Sequence, residues 1–221
     1  MFRKKTDENR EILLQSFYNL EDKITEKIGK SNVSIAFTAS SKDTQKEENI
    51  VNIARHLVED GNNILIIDAN LRDSDFDLLI KKPNDRGFID VILGGYDIDS
   101  LVETDDEFDN LVYLNVGKVI DYADKFLEPK IIKNFLKDIS NIYDYVFMNL
   151  SENTDIAEAN MFAANADYCV VFAKDELSFT KTTQKSMEQL EKANANILGI
   201  VITGYEYGED ELDDLFGGYD E

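Results

Sequence analysis

Six apolar runs, separated by segments with a helical repeat, limit the folds open to this chain more than any other feature of its sequence. The runs are Val33 to Thr38, Asn63 to Ile67, Leu111 to Asn115, Tyr145 to Leu150, Tyr168 to Ala173 and Ile197 to Thr203. They are nearly uninterrupted rather than alternating, as in strands covered on both faces. Between them lie Glu48 to Glu59, Asp75 to Ile80, Phe88 to Leu93, Pro129 to Ile142, Ile156 to Ala164 and Thr180 to Ala193, where apolar residues return at helical spacing. Strand and helix in alternation predict an α/β fold, a doubly wound and mostly parallel sheet with helices on both faces. Pro129 opens its helix and Pro83 falls in a polar turn ending at Gly87, so both prolines punctuate this pattern without interrupting it.

A chain of 221 residues suits one such domain. The expected division is an amphipathic helical lead-in over 1–30, the α/β domain over 31–204 and an acidic tail over 205–221. The lead-in sets Ile12, Leu13, Phe17, Leu20 and Ile24 on one side, and the tail carries eight acids and no base, which predicts disorder. A formal charge of −22 argues against nucleic acid as a partner, because that binding draws on Lys and Arg to displace counterions. The same charge disfavours an anionic membrane surface, and no apolar stretch approaches the roughly 20 residues that span a bilayer. With no signal peptide in view, the chain is expected in the cytoplasm, reaching the inner face of the membrane only through a partner. Cys169 lies within an apolar run and reads as a buried, inert thiol, and one cysteine excludes disulfides and cysteine-based metal sites. His56, the sole histidine, sits in a helical pattern with no second histidine to support a triad or a zinc site, so no metal is expected.

Ligands of doubly wound sheets bind beyond the carboxyl ends of the strands, which directs attention to three segments. After the first strand the chain reads Thr38-Ala-Ser-Ser-Lys-Asp-Thr-Gln-Lys46-Glu47-Glu48, followed by Asn52-Ile53-Ala54 in a helix. The second strand ends Ile64-Leu-Ile-Ile-Asp68-Ala-Asn70-Leu-Arg72. A later one ends Tyr143-Asp-Tyr-Val-Phe-Met-Asn149-Leu. From about Ser16 to Gly204 this layout resembles the bacterial tyrosine kinases of capsular and exopolysaccharide synthesis, P-loop proteins related to the MinD and ParA ATPases. Their phosphate loop begins Thr-Ser-Ser, continues Pro-Gly-Glu-Gly-Lys-Ser-Thr and enters a helix with Asn-Leu-Ala. Laid over it without gaps, Lys46 takes the place of the phosphate-loop lysine. Asp68, Asn70 and Arg72 match the family's Asp-x-Asp-x-Arg. Arg86 to Gly94 matches Gly-Leu-x-Asp-Val-Leu-x-Gly, and Tyr143 to Val146 the approach to the Walker B strand.

The departures from that pattern concentrate on the chemistry. Asp43 and Gln45 replace two loop glycines, whose freedom at positive φ lets backbone N–H groups close around phosphate, so the cradle is expected not to form. Glu47 replaces the magnesium-ligating serine and sets a carboxylate beside the phosphates. Asn70 and Asn149 replace aspartates that assist metal chemistry, and an amide offers magnesium no charge. In the lead-in, Gln15, Tyr18 and Glu21 stand where the resemblance places a Glu-x-x-Arg-x-x-Arg assembly pattern, and both arginines are gone. A structural reading accounts for the same loop: Thr44-Gln-Lys-Glu47 has the form of a capping box, in which threonine and glutamate side chains satisfy the first N–H groups of a helix. Lys46 then either contacts phosphates or faces Asp68 or water. Asp68 and Arg72 either orient a ligand or cap a turn, and Asn149 is a polar strand end.

The resemblance therefore implies a pseudokinase-like member of the family, with no cofactor expected. It would act by binding a membrane-embedded chain-length regulator or activator of polysaccharide assembly, and an active kinase paralogue. The alternative is a working tyrosine autokinase using ATP and Mg through Lys46, Asp68 and Arg72. A third option, a MinD- or ParA-like positioning ATPase, fits less well with the Gly87 to Gly94 segment and the tail tyrosines. Those tyrosines, Tyr205, Tyr207 and Tyr219, resemble a reduced phosphoacceptor cluster.

Overall fold

Successive residues of a buried strand point to opposite faces, and this chain fills both. In the computed structural model, which describes residues 26, 32–72, 74–82, 84–118, 127–174 and 181–204, each predicted run is a strand. They are β1 (Val33–Ala39), β2 (Ile64–Asp68), β4 (Leu111–Leu114), β5 (Tyr145–Asn149), β6 (Tyr168–Lys174) and β7 (Ile197–Thr203). A further short strand, β3 (Glu103–Thr104), runs antiparallel to β4 at the sheet edge. The order is β3-β4-β2-β5-β1-β6-β7, and all the other pairings are parallel. The helices are α1 (Lys46–Glu59), α2 (Phe76–Ile80), α3 (Phe88–Gly94), α4 (Pro129–Ile139), α5 (Ala157–Asn165) and α6 (Lys181–Lys192).

Alternation divides the core into two layers. On one face Ile35, Phe37, Ile66 and Phe147 pack with Ile50, Ile53, Ala54 and Leu57 of α1. On the other, Ala36, Leu65, Val146 and Met148 pack with Ile132 and Leu136 of α4 and Phe162 of α5. Phe37 and Phe147 meet edge to face with centroids 4.8 Å apart, which fixes the two central strands against α1. From β1 the chain winds toward β2 and β4, and from β5 toward β6 and β7. The direction thus reverses at the neighbouring strands β1 and β5, the switch point where such sheets open a crevice.

β3 escaped the sequence pattern because two residues carry no periodicity. It is fixed by a polar cluster just after it: Asp105 accepts from the Tyr113 hydroxyl at 2.5 Å, the Glu107 amide at 2.8 Å and Arg55 at 3.1 Å. Burial pushes the Asp105 carboxyl up, but these donors outweigh it and hold the group below the ordinary carboxylate range. Cys169 is buried as expected, and burial raises its thiol to about 12. His56 lies 3.8 Å from Glu59. No helix among the described residues is long and apolar enough to cross a membrane. The lead-in positions Gln15, Tyr18 and Glu21, the tail tyrosines Tyr205, Tyr207 and Tyr219, and Pro83 lie outside the described residues.

The Arg86 to Gly94 segment has a steric basis. Gly87 donates its N–H to Asp90 at 2.9 Å, and its Cα lies so close to β4's exit that an added Cβ would fall 1.9 Å from the Asn115 carbonyl oxygen. At Gly94 an added Cβ meets only the movable Tyr96 ring, at 3.0 Å. Gly87→Ala is therefore expected to displace the α3 entry and lower stability by about 2 kcal/mol or more, with Gly94→Ala costing about 1 kcal/mol or less. Urea unfolding of both variants checks the difference, and equal losses would contradict this steric account.

Candidate functional site

The β1–α1 turn, the end of β2 and the end of β5 converge at the switch point. Asp68 and Asn149 are direct neighbours across β2 and β5, and Phe37 of β1 pairs with Asn149 on its other side. Lys46 begins α1 and is only 4% exposed. Its Nζ donates to Glu47 Oε1 at 2.6 Å and to Asn149 Oδ1. Asn149 passes the contact on, with Nδ2 donating to Asp68 Oδ1 at 2.9 Å. Asp68 also accepts from the Asn70 amide at 3.2 Å and from the Ser74 hydroxyl at 2.5 Å. The result is one hydrogen-bonded chain, Glu47–Lys46–Asn149–Asp68–Ser74, across the tips of two strands and a helix.

This arrangement corrects two expectations. First, the capping box does not form: Gln45 is the N-cap, no side chain caps the helix, and Glu47 turns instead to Lys46. The buried ammonium has the stronger need of a partner. Second, Lys46 faces Asp68 through Asn149 rather than directly. In the loop itself, Asp43 and Gln45 adopt φ of 60° and 52°. Such conformations cost an ordinary residue about 1 kcal/mol or more, and here the loop keeps them. A cavity of about 680 Å³ accordingly lies over the turn. It is lined by Asp43, Glu47, Glu48, Asp75 and Glu152 against Lys42, Lys46 and Lys174, so carboxylates outnumber ammonium groups.

Arg72 is drawn away from the other sequence candidates. It pairs with Glu158 in the first turn of α5, its Nε 2.5 Å from Oε1, and that carboxylate is itself buried. Asn70 reaches the cavity and accepts from the Arg72 amide, 3.1 Å away, shaping the turn between them. Ser74 and Glu158 were missed in the sequence because their partners are distant in the chain or fixed only by tertiary packing. Among the described residues no group of three or more His, Cys, Asp or Glu is placed to hold a metal ion.

Comparison with known proteins places this geometry. No family model matches the chain. Tyrosine-protein kinase CpsD of Streptococcus agalactiae is 24% identical over 176 residues, covering 79% of this chain and 76% of that protein. The putative tyrosine-protein kinase CapB of Staphylococcus aureus is 23% identical over 188 residues, covering 80% and 82%. The chain is thus similar to proteins named as bacterial tyrosine kinases. Its fold agrees: the chimerical protein CapA2B2 superposes with a TM-score of 0.76 at 19% identity, over 84% of this chain and 82% of the other. MinD of Pyrococcus horikoshii, solved with Mg-ADP, gives a TM-score of 0.65 at 18% identity, over 83% and 76%. The chain thus shares the P-loop α/β fold.

Asp68 carries a pH signature. Burial, the largest influence, pushes its carboxyl from the ordinary 3.8 up to about 6; the bonds from Ser74, Asn70 and Asn149 and the Lys46 charge pull down without offsetting it. An acid raised on folding contributes stability that is fully present below about pH 4 and is lost as pH rises to about 6. Asp68→Asn removes the charge, and the Ser74 hydroxyl can turn to accept from the new amide. The variant is expected to gain on the parent across this window, by on the order of 3 kcal/mol at neutral pH. Urea midpoints of both proteins from about pH 4 to about pH 7 test this, and parallel curves would contradict it.

Proposed function

We infer that this kinase-like chain is a non-catalytic member of the capsule and exopolysaccharide systems in which its relatives are named as kinases, and that it works by binding proteins. One observation carries this reading: Lys46 is compensated from inside the chain by Glu47 and Asn149, so the charge that would meet a nucleotide's phosphates is already matched. A phosphate placed against the loop would meet the Glu47 carboxylate, and two unit charges about 4 Å apart repel by about 4 kcal/mol at an effective dielectric near 20. That corresponds to roughly a thousandfold in affinity. Asn70 and Asn149 bring no charge to offset it, so Mg-nucleotide fits these residues poorly. Expected partners are a membrane-embedded chain-length regulator, which would bring the chain to the inner face of the membrane, and an active kinase of the same kind.

The retained loop curvature and the cavity favour the second reading, a working ATP-dependent tyrosine autokinase using Lys46, Asp68 and Arg72. The pairing of Arg72 with Glu158 counts against it.

Calorimetric titration of Mg-ATP separates the two. No binding is expected up to roughly millimolar nucleotide, whereas micromolar binding abolished by Lys46→Ala would overturn the first reading. Glu47→Ala frees Lys46 from its internal carboxylate. Inorganic pyrophosphate is then expected to raise the melting temperature of that variant by a few degrees while leaving the parent unmoved.

A further inference from the structure

Lys46, Asn149 and Asp68 retain 4%, 0% and 1% of their exposure, and they meet in an order with a chemistry of its own. The Asn149 amide is held at both ends, its Oδ1 accepting from Lys46 Nζ and its Nδ2 donating to Asp68 Oδ1 at 2.9 Å. Only this orientation serves both neighbours, since an ammonium can only donate and a carboxylate only accept. A nitrogen bonded to a carbonyl oxygen lies at most one further C=O length, about 1.2 Å, from the carbonyl carbon. A small swing of the lysine stem therefore brings Nζ to the roughly 3 to 3.5 Å from which bonds form. Beyond Nζ, Glu47 Oε1 sits 2.6 Å away on a side chain that is partly exposed, so a proton taken there can pass to water.

We propose that Lys46 and Asn149 become joined by an isopeptide bond that the folded chain forms by itself. Nζ gives a proton to Glu47 and attacks Asn149 Cγ, forming the Nζ–Cγ bond. Attack turns Nδ2 from an amide nitrogen that only donates into an amine that can accept, and Asp68, protonated for this step, then donates to it from Oδ1; the Cγ–Nδ2 bond breaks, and the second Nζ proton leaves through Glu47, whose first proton has passed to water. The products are a secondary amide and ammonia, which takes up a proton as ammonium. Atoms and charge balance, no redox change occurs, and no cofactor enters. The raised proton affinity of Asp68 suits its part as donor. Conversion of a buried ammonium into a neutral amide removes a charge whose withdrawal from water is costly, which supplies a direction for the reaction. Ammonia would leave past Lys46 and Asn70, which line the cavity.

The bond bears on the nucleotide question, since a joined Lys46 carries no ammonium for phosphate, but the two readouts stay separate: mass reports the linkage and calorimetry reports the ligand. The test is the intact mass of the purified, denatured full chain, followed by tryptic mapping. The expected result is a deficit of about 17 Da, the mass of ammonia. It should come with one branched peptide holding both residues and no cleavage after Lys46. Lys46→Arg and Asn149→Ala each restore the sequence mass, and Asp68→Asn slows the appearance of the deficit. An unaltered chain at full sequence mass, with trypsin cutting after Lys46, overturns the proposal, as does a 17 Da loss that maps to any other asparagine. Both readings use the unaltered protein, so a variant that fails to fold does not affect them.

Discussion

An ammonium withdrawn from water has to be answered from within the protein, and the Lys46 ammonium organises the centre of this molecule for that reason. Its compensation uses one full charge, Glu47, and one dipole, Asn149, which in turn leans on Asp68. The participants come from α1, β5 and β2, so their geometry depends on the register of three elements that are far apart in sequence. Around them the two aromatic and aliphatic layers keep the strand tips dry, which gives the polar chain its strength and also the high proton affinity of Asp68.

The β1–α1 loop combines a tightly turned backbone with an acidic lining. Asp43 and Gln45 hold the left-handed conformations associated with glycine, and the crevice at the switch point stays open. What separates the loop from its relatives' pattern is its charge: carboxylates line a space that the resemblance would reserve for phosphates. The proposed loss of phosphoryl transfer therefore rests on electrostatics, with sterics playing little part.

Most of the sheet was legible because runs such as Ile64 to Ile67 are buried on both faces and need no long-range information to declare themselves. β3 was illegible for the opposite reason, since two edge residues depend on the contact of Asp105 with Tyr113 and Arg55. At the site, the structure brings Lys46, Asp68 and Asn149 together at the strand ends, but the sequence misjudged how they are satisfied. A Thr-x-x-Glu spacing suggested local capping, whereas Glu47 answers a charge that only the fold buries. Arg72 was grouped with Asp68 by proximity in sequence, yet its guanidinium is taken by Glu158, a residue on α5 with no local signal to mark it.

The crowding at Gly87 bears on how distant kin of such enzymes are recognised. A backbone pressed against the Asn115 carbonyl leaves no volume for any side chain, so this stretch is held in place by geometry, whatever happens at the loop near Lys46. Such a stretch reports on architecture and carries no information about the chemistry of that loop.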